Sequence, residues 1–352
     1  MTAVLTLSHA CFAYDEGTSF EHEALADISL EVAPGSYTFV MGHTGSGKST
    51  LLRIMAGLVI PTSGSAGLAR DTPFAVDQAW GSARPKGASL VSLGANSAPI
   101  EPGAAGLVFQ DPEAQLFAQT VFEDVAFGPM NLGLAPSPEE QEAVVRDALA
   151  AVGLDFEGFR ARSPFTLSGG EARRVAIAGI LAMQPLFMLF DEPTAGLDDA
   201  GRAFVHALIE RLVAQGVGVV VVSHDIDSFL PRAQRVLVLE KGRIAWLGAA
   251  HELIANPRPL KRVGFPVPPL IALQQHLGAM PGTYSYDPQR VAAWALAGHP
   301  VEGCGERHTH THTQGAQGDD PAASSQPDAT RRRRRTFDSP GPLRHIPTIE
   351  GG

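Results

Sequence analysis

An α/β fold built on a parallel sheet with both faces covered is what this sequence predicts. Three observations predict it. Residues 1 to about 255 alternate apolar, β-branched runs with helix-period patterns. Three of those runs, "SYTFVMG" (36–42), "PLFMLFDE" (185–192) and "VVVVSHD" (219–225), are apolar at successive positions and end in polar residues. Strands apolar on both faces belong inside a covered parallel sheet. The first run passes through a glycine-rich stretch into the helical pattern "STLLRIMAGL".

That stretch, "GHTGSGKST", comprises Gly42, His43, Thr44, Gly45, Ser46, Gly47, Lys48, Ser49 and Thr50. It matches the phosphate-loop pattern G-x-x-x-x-G-K-[ST], with a strand before it and a helix after it. Glycines let backbone N–H groups turn toward phosphate oxygens. Lys48 adds a charge for the β and γ phosphates of ATP, and Ser49 offers a hydroxyl to Mg²⁺. The helix that follows points its positive end at the same anion. A plain strand-to-helix turn would not require this full pattern.

Residues 66–105 are rich in Gly, Ala, Ser and Pro, with weak strand signals at "TPFAV" and "ASLVSL". They read as a loop-rich β insertion. The next stretch, "LVFQDPEAQLFAQTVFEDVAFGPMNLGL" (107–134), begins as a strand and reaches Gln110. Asp111 can cap a helix with Pro112 at its first position. Thr120 and Glu123 form a capping box for a second helix, which Gly128-Pro129 is expected to end. Ser137, Pro138 and Glu140 start a third. The apolar side chains Leu116, Phe117, Phe122 and Phe127 can serve the protein's own core or face another protein.

"LSGGEARRVAIAGILAM" carries a further capping box at Ser168 and Glu171. A cap does not require Gly169 and Gly170, since glycine in a helix costs about 1 kcal/mol against Ala. Bare N–H groups at a helix start suit a closely approaching anion. In "FMLFDEP", Asp191 and Glu192 emerge at the carboxyl end of an apolar strand, where open α/β sheets bind ligands. Asp191 is suited to hold Mg²⁺ through water, and Glu192 is a candidate general base for an attacking water. "RVLVLEKGRIAWLG" (235–248) reads as a hairpin turning near Lys241-Gly242.

From Pro257 to Val301 a Pro-rich link leads into short apolar segments, a small accessory region spanning 256–302. Residues 303–352 hold almost no core-forming side chains and read as a disordered tail. Within it His308, His310 and His312 alternate with threonine, and five arginines occupy 331–335. A solvated low-complexity tail accounts for both features better than a metal site or a lipid-binding patch.

Composition sets bounds. The 352 residues, 44% of them hydrophobic, suffice for one large core or two unequal domains. A formal charge of −10 argues against nucleic acid as a partner. Cys11 and Cys304 are the only cysteines, which fits a reducing cytosol and no disulfide framework. The N-terminus lacks the pattern of a signal peptide. The strongest apolar run, ending at Ser223, is too short to span a bilayer.

Phosphate loop, glutamine loop, LSGGE, "FDE", "AGLD" and "SHD" occur in the order found in ABC-transporter ATPases, and residues 1–255 resemble that family. The resemblance implies a P-loop NTPase fold of ABC type, with an antiparallel β subdomain and a helical subdomain. It also implies a head-to-tail dimer in which Ser168, Gly169 and Gly170 of one chain face the γ-phosphate held by the other. By the same pattern Tyr14 stacks on adenine, Asp198 crosses the dimer interface, His224 contacts the γ-phosphate, and Gln110 touches Mg²⁺ or the attacking water. The alternatives, each the weaker reading, are Tyr14 as a strand aromatic, Asp198 as a helix N-cap, and His224 as a satisfied strand-end histidine.

The stretch 107–134, with "GHTGSGKST" and "RRVAIAGILAMQP", is similar to the A subunits of energy-coupling factor (ECF) transporters and their cobalt and nickel relatives. It resembles the second of their two paired A subunits in particular. That implies a peripheral ATPase at the cytoplasmic face of the cell membrane, energising import of a vitamin or transition-metal ion. Its implied partners are a second A subunit, a transmembrane T subunit that docks on part of 107–134, and a substrate-binding S subunit. Residues 256–302 resemble the family's dimerisation segment more loosely. The rivals are the ATPase of a conventional ABC importer and a soluble ABC ATPase. DNA-repair types of the latter need a coiled coil that 66–105 is too short to form.

Overall fold

The computed structural model describes residues 3–69 and 97–296. The expected strands at "TPFAV" and "ASLVSL", Cys304, the alternating histidines and the arginine run lie outside those residues.

Two sheets organise the described chain. β1 (Val4–Tyr14) pairs with β2 (His22–Val32), and β3 (Tyr37–Gly42) then enters the second sheet. α1 (Lys48–Met55) follows the glycine loop. β4 (Ser63–Ala69), which runs into the expected insertion, and β5 (Ser97–Ala98), which lies within it, complete an antiparallel sheet ordered β2-β1-β4-β5. β6 (Ala105–Val108) leads into a helical region of α2 (Val121–Asn131), α3 (Pro138–Ala151), the single-turn α4 (Phe156–Phe159) and α5 (Gly169–Ala182). Then come β7 (Phe187–Asp191), α6 (Asp199–Ala214), β8 (Gly218–Val222), α7 (Ile226–Phe229), β9 (Arg235–Glu240) and β10 (Arg243–Ala249).

The second sheet runs β10-β9-β3-β8-β7-β6 and is parallel except for β10 at one edge. Its inner strands are apolar at most positions because alternate residues enter different cores. Phe39, Met41, Met188, Phe190, Val219 and Val221 face α5 and α6, while Val40, Phe187, Leu189, Val220 and Val222 face α1 and the antiparallel sheet. Burying one such side chain fully is worth about 1.5–3 kcal/mol. A charge at any of them would remove that gain and be left unpaired.

This strand order builds the site. β8 lies between β3 and β7, so three loops leave the same edge side by side. They are the glycine loop after β3, Ser223-His224 after β8, and Asp191-Glu192 at the end of β7. The β9–β10 turn falls where expected, with Lys241 (φ 48°) and Gly242 (φ 76°) both left-handed, as a tight hairpin demands.

Both expected capping boxes form, at Thr120/Glu123 and Ser168/Glu171, and the helix expected to start at Ser137 carries a further one at Ser137/Glu140. Two local expectations need correction. Asp111-Pro112 opens only a 3₁₀ turn, Pro112–Gln115. And α2 runs through Gly128-Pro129 to Asn131 instead of ending there. Proline lacks one N–H and crowds the carbonyl four residues earlier, but Pro129 lies in the last turn, so little helix remains to lose. Gly128 is needed on another count: a Cβ there would come within 2.6 Å of Met183 on the α5 side.

Beyond β10 the chain forms α8 (Ala250–Ala255), α9 (Arg258–Arg262), α10 (Pro269–His276) and α11 (Pro288–Leu296). Leu253, Leu260 and Val263 are buried in the same core cluster as Phe229 and Val236, and Phe265 and Tyr286 pack against it. No helix among the described residues is long and apolar enough to cross a membrane.

Candidate functional site

The glycine loop has the backbone its sequence requires. Gly45 (φ 78°) and Gly47 (φ 99°) are left-handed, and a Cβ on Gly47 would come within 2.5 Å of the Ala24 carbonyl oxygen. A Cβ on Gly42 would come within 2.6 Å of the Leu239 carbonyl oxygen. The Lys48 ammonium turns back and donates to the carbonyls of Gly42 (2.7 Å) and His43 (3.0 Å). The His43 carbonyl also accepts from the Ser46 N–H at 3.0 Å. Burial pulls the Lys48 pKa below its ordinary value, while Glu192 and Asp191 oppose that shift.

A cavity of about 560 Å³ opens over this loop. Thr44, Gly45, Gly47, Lys48, Ser49 and Thr50 line it from the loop side. Gln110, Asp191, Glu192 and His224 line it from the neighbouring strand ends, and Tyr14 from the antiparallel sheet. The Tyr14 hydroxyl lies 3.0 Å from Thr50 Oγ1. Gly42, His43 and Ser46 belong to the loop but not to the cavity wall. The Ser46 side chain is buried with its hydroxyl unpaired, and the His43 ring turns away toward Phe265.

Glu192 is held on one side only. Its Oε2 accepts from Ser223 Oγ (2.9 Å) and from the His224 N–H (3.2 Å). Its Oε1 lies 3.3 Å from His224 Nε2, outside hydrogen-bond geometry, and is buried without a hydrogen-bond partner. Glu192 also has φ 48°, a left-handed backbone that a non-glycine residue adopts only under constraint. Its N–H donates to the Val222 carbonyl at 2.9 Å, which locks that geometry to β8.

Four of the expected residues lie elsewhere. Ser168, Gly169 and Gly170 are exposed at the start of α5 and do not line the cavity. Ser168 accepts from the Glu171 N–H, while Glu171 Oε2 accepts from the Ser168 backbone and hydroxyl. Those bonds and Arg162 hold the Glu171 carboxyl down at a pKa of about 2. A Cβ on Gly170 would meet nothing within 4 Å, so nothing in its own chain demands glycine there. Asp198 caps α6, accepting from the Gly201 N–H at 2.8 Å, and is exposed.

Three site residues were not singled out from sequence. Ser223 is one: the serine at the head of "SHD" orients Glu192. His22, the cross-strand partner of Tyr14, lines the cavity. Arg173 on α5 ties the helical region to the strand ends, donating to the carbonyls of Pro193 (2.7 Å), Ala195 (3.3 Å) and Gln110 (3.2 Å). An arginine on an amphipathic helix carries no local signal of such bonds.

The apolar residues of 107–134 divide. Leu116 is 8% exposed and part of the core. Phe117 and Phe127 are 58% and 51% exposed and pack edge to face at 4.8 Å, with Met130 also exposed.

The donor set fits Mg²⁺ beside a nucleotide. Ser49, Gln110 and Asp191 offer oxygen ligands around one cavity, the chemistry Mg²⁺ prefers. Among the described residues no group of three or more His, Cys, Asp or Glu could hold a metal alone. Such an ion would therefore draw on phosphate and water for its remaining ligands.

A phosphate loop beside a strand-end carboxylate pair, with an exposed glycine-rich helix start outside the cavity, defines an ATP-hydrolysing cassette of ABC type. The ABC transporter family model matches residues 25–195. The energy-coupling factor transporter ATP-binding protein EcfA2 of Streptococcus pyogenes serotype M5 is 41% identical over 273 residues, 78% of this chain and 91% of the relative. Among solved structures, cbiO1 of Clostridium perfringens, part of the ABC transporter complex cbiONQ, is 29% identical with TM-score 0.57. The match covers 78% of this chain and all of that one. The dimeric post-hydrolysis state of the ATP-binding cassette MJ0796, bound to ADP and Pi, is 27% identical with TM-score 0.56, covering 70% of this chain and 98% of that one. The chain belongs to the energy-coupling factor transporter ATP-binding proteins, the A subunits of these importers.

Proposed function

We propose that this chain binds and hydrolyses ATP to energise an ECF-type importer of a vitamin or transition-metal ion, acting at the cytoplasmic face of the membrane. The observation that carries the hydrolytic part is Glu192 Oε1, buried at the wall of the phosphate-loop cavity without a hydrogen-bond partner, the His224 ring nitrogen lying 3.3 Å away. A carboxylate oxygen so left has one task available, accepting a proton from a water placed between it and the γ-phosphate. The water oxygen forms a bond to the γ phosphorus, the bond to the β–γ bridging oxygen breaks, and the proton passes to Glu192. Lys48 and the loop N–H groups hold the phosphates in line. His224 steadies the γ-phosphate, Gln110 the water, and Tyr14 the adenine. Mg²⁺, held by Ser49, Gln110 and Asp191, would neutralise charge on the phosphates.

The exposed Ser168-Gly169-Gly170 start of α5 serves the cavity of a second chain. Gly170 supports this reading, since no contact within its own chain asks for glycine. Asp198 would lie at the same interface. The second chain is a related A subunit or another copy. We assign residues 1–255 to the ATP-binding domain, 256–302 to an accessory region and 303–352 to a tail.

The Phe117–Phe127 pair is our candidate for the T-subunit docking surface. Both rings are more than half exposed on the helical region, and Arg173 connects that region to the strand ends. Changing both phenylalanines to serine should leave ATP binding intact and lower stability by about 2–4 kcal/mol, from the ring pair and the buried half of each ring. Association with the T subunit should weaken by about thirtyfold or more, as loss of an aromatic anchor does. Unaltered association would exclude this patch as the docking surface. Leu116 is unsuited to the test, because its removal would open the core.

A further inference from the structure

We propose that the segment beyond β10 is a positioning device for the nucleotide site, acting on the phosphate loop through His43 and on the helix after the His224 loop through Tyr286. The inference rests on the phosphate-loop reading above and adds a control element to it.

The observations converge on His43. Its ring stacks on Phe265, with centroids 4.4 Å apart and planes 7° from parallel. Its Nε2 lies 2.8 Å from the Val263 carbonyl oxygen. A carbonyl only accepts, so Nε2 carries the proton in this contact. Gly264, between the two gripping residues, has φ 77°. That left-handed turn lets the Val263 carbonyl and the Phe265 ring reach the same imidazole, and other residues adopt it only under strain. Val263 is itself buried in the main core, so the grip is anchored.

The gripped residue is the hub of the loop. The His43 carbonyl accepts both the Ser46 N–H and the Lys48 ammonium. Fixing its side chain fixes the peptide from which those two bonds are measured. A second tie lies across the site. The Tyr286 hydroxyl donates to Asp227 Oδ1 at 3.3 Å. Asp227 is on α7, three residues beyond His224, whose backbone N–H holds Glu192. One accessory segment therefore touches the phosphate loop and the short helix that follows His224. A segment needed for packing alone would have no reason to hydrogen-bond a phosphate-loop side chain that points away from its own cavity.

The test uses the full chain and the non-hydrolysable analogue adenylyl imidodiphosphate with Mg²⁺. Phe265→Ala should weaken its binding by roughly two- to tenfold, the span expected of one aromatic contact. Phe265→Tyr, which keeps the ring, should restore affinity. His43→Ala, which also removes the Val263 contact, should weaken binding at least as much, and His43→Ala with Phe265→Ala should be no worse than His43→Ala alone, because that variant has already lost the Phe265 contact. In steady state Phe265→Ala should raise KM for ATP more than it lowers kcat. Wild-type affinity in Phe265→Ala with a lowered melting temperature would reduce the contact to packing and overturn the proposal. So would additive losses in the double variant. Lys48→Ala separates the two levels: if it retains affinity, the phosphate-loop reading falls and this proposal with it. If Lys48→Ala loses binding while Phe265→Ala does not, only this proposal falls.

Discussion

Glu192→Gln should reduce ATP turnover by about 10²–10⁴-fold, the usual contribution of a general base, while leaving ATP bound. Gln is nearly the same shape. Its side-chain oxygen can still accept from Ser223 Oγ and the His224 N–H, the two donors that fix Glu192 Oε2. The amide nitrogen then occupies the place of Oε1 and cannot take a proton. Lys48, Ser49 and Asp191 are untouched, so the nucleotide stays and ATP-bound dimers accumulate. Single-turnover hydrolysis and nucleotide retention on gel filtration check both halves. Turnover within tenfold of wild type would remove Glu192 from its role. The left-handed backbone at Glu192 makes the control simple, since Gln tolerates φ 48° no worse than Glu.

Lys48→Ala should raise the ATP dissociation constant about a hundredfold or more. Hydrogen bonds to charged groups are worth about 1.5–3 kcal/mol each, and the ammonium is placed for two phosphates. The same change removes the donor that ties the Gly42 and His43 carbonyls together, so the loop loses shape as well as charge. Burial already draws the Lys48 pKa below its usual value, and only Asp191 and Glu192 counter that. Alanine would leave those two carboxylates facing incoming phosphate uncompensated. Isothermal titration with ATP measures the loss. Affinity close to wild type would mean that phosphate binds elsewhere.

What the sequence revealed and what it hid follow from how far apart the interacting residues lie. The phosphate loop, the capping boxes and the Lys241-Gly242 turn are local. Each demands a particular residue at a particular backbone angle, so each is legible from a few positions. The strand order is not local: nothing in "VVVVSHD" says that it lies between the other two long apolar strands, yet this is what brings Glu192 against Ser223 and His224. Periodicity could not separate Leu116 from Phe117, because adjacent residues in a short 3₁₀-to-loop segment carry no period. His43 read as a nucleotide-binding position of the phosphate loop, and its side chain's real partner stayed hidden because Val263 is 220 residues away. Arg173 was hidden for the same reason, its carbonyl acceptors coming from two distant loops.

The proposed role is that of a peripheral ATPase acting within a membrane complex. The measurement that tests it most directly is the subunit composition of the complex purified through this chain from detergent-solubilised membranes, read by native mass spectrometry with ATP present. Two ATPase chains, one T subunit and one small S subunit are expected, with the T subunit lost when Phe117 and Phe127 are both changed to serine. A chain recovered only as a soluble dimer, with no membrane protein at any ATP concentration, would contradict that role.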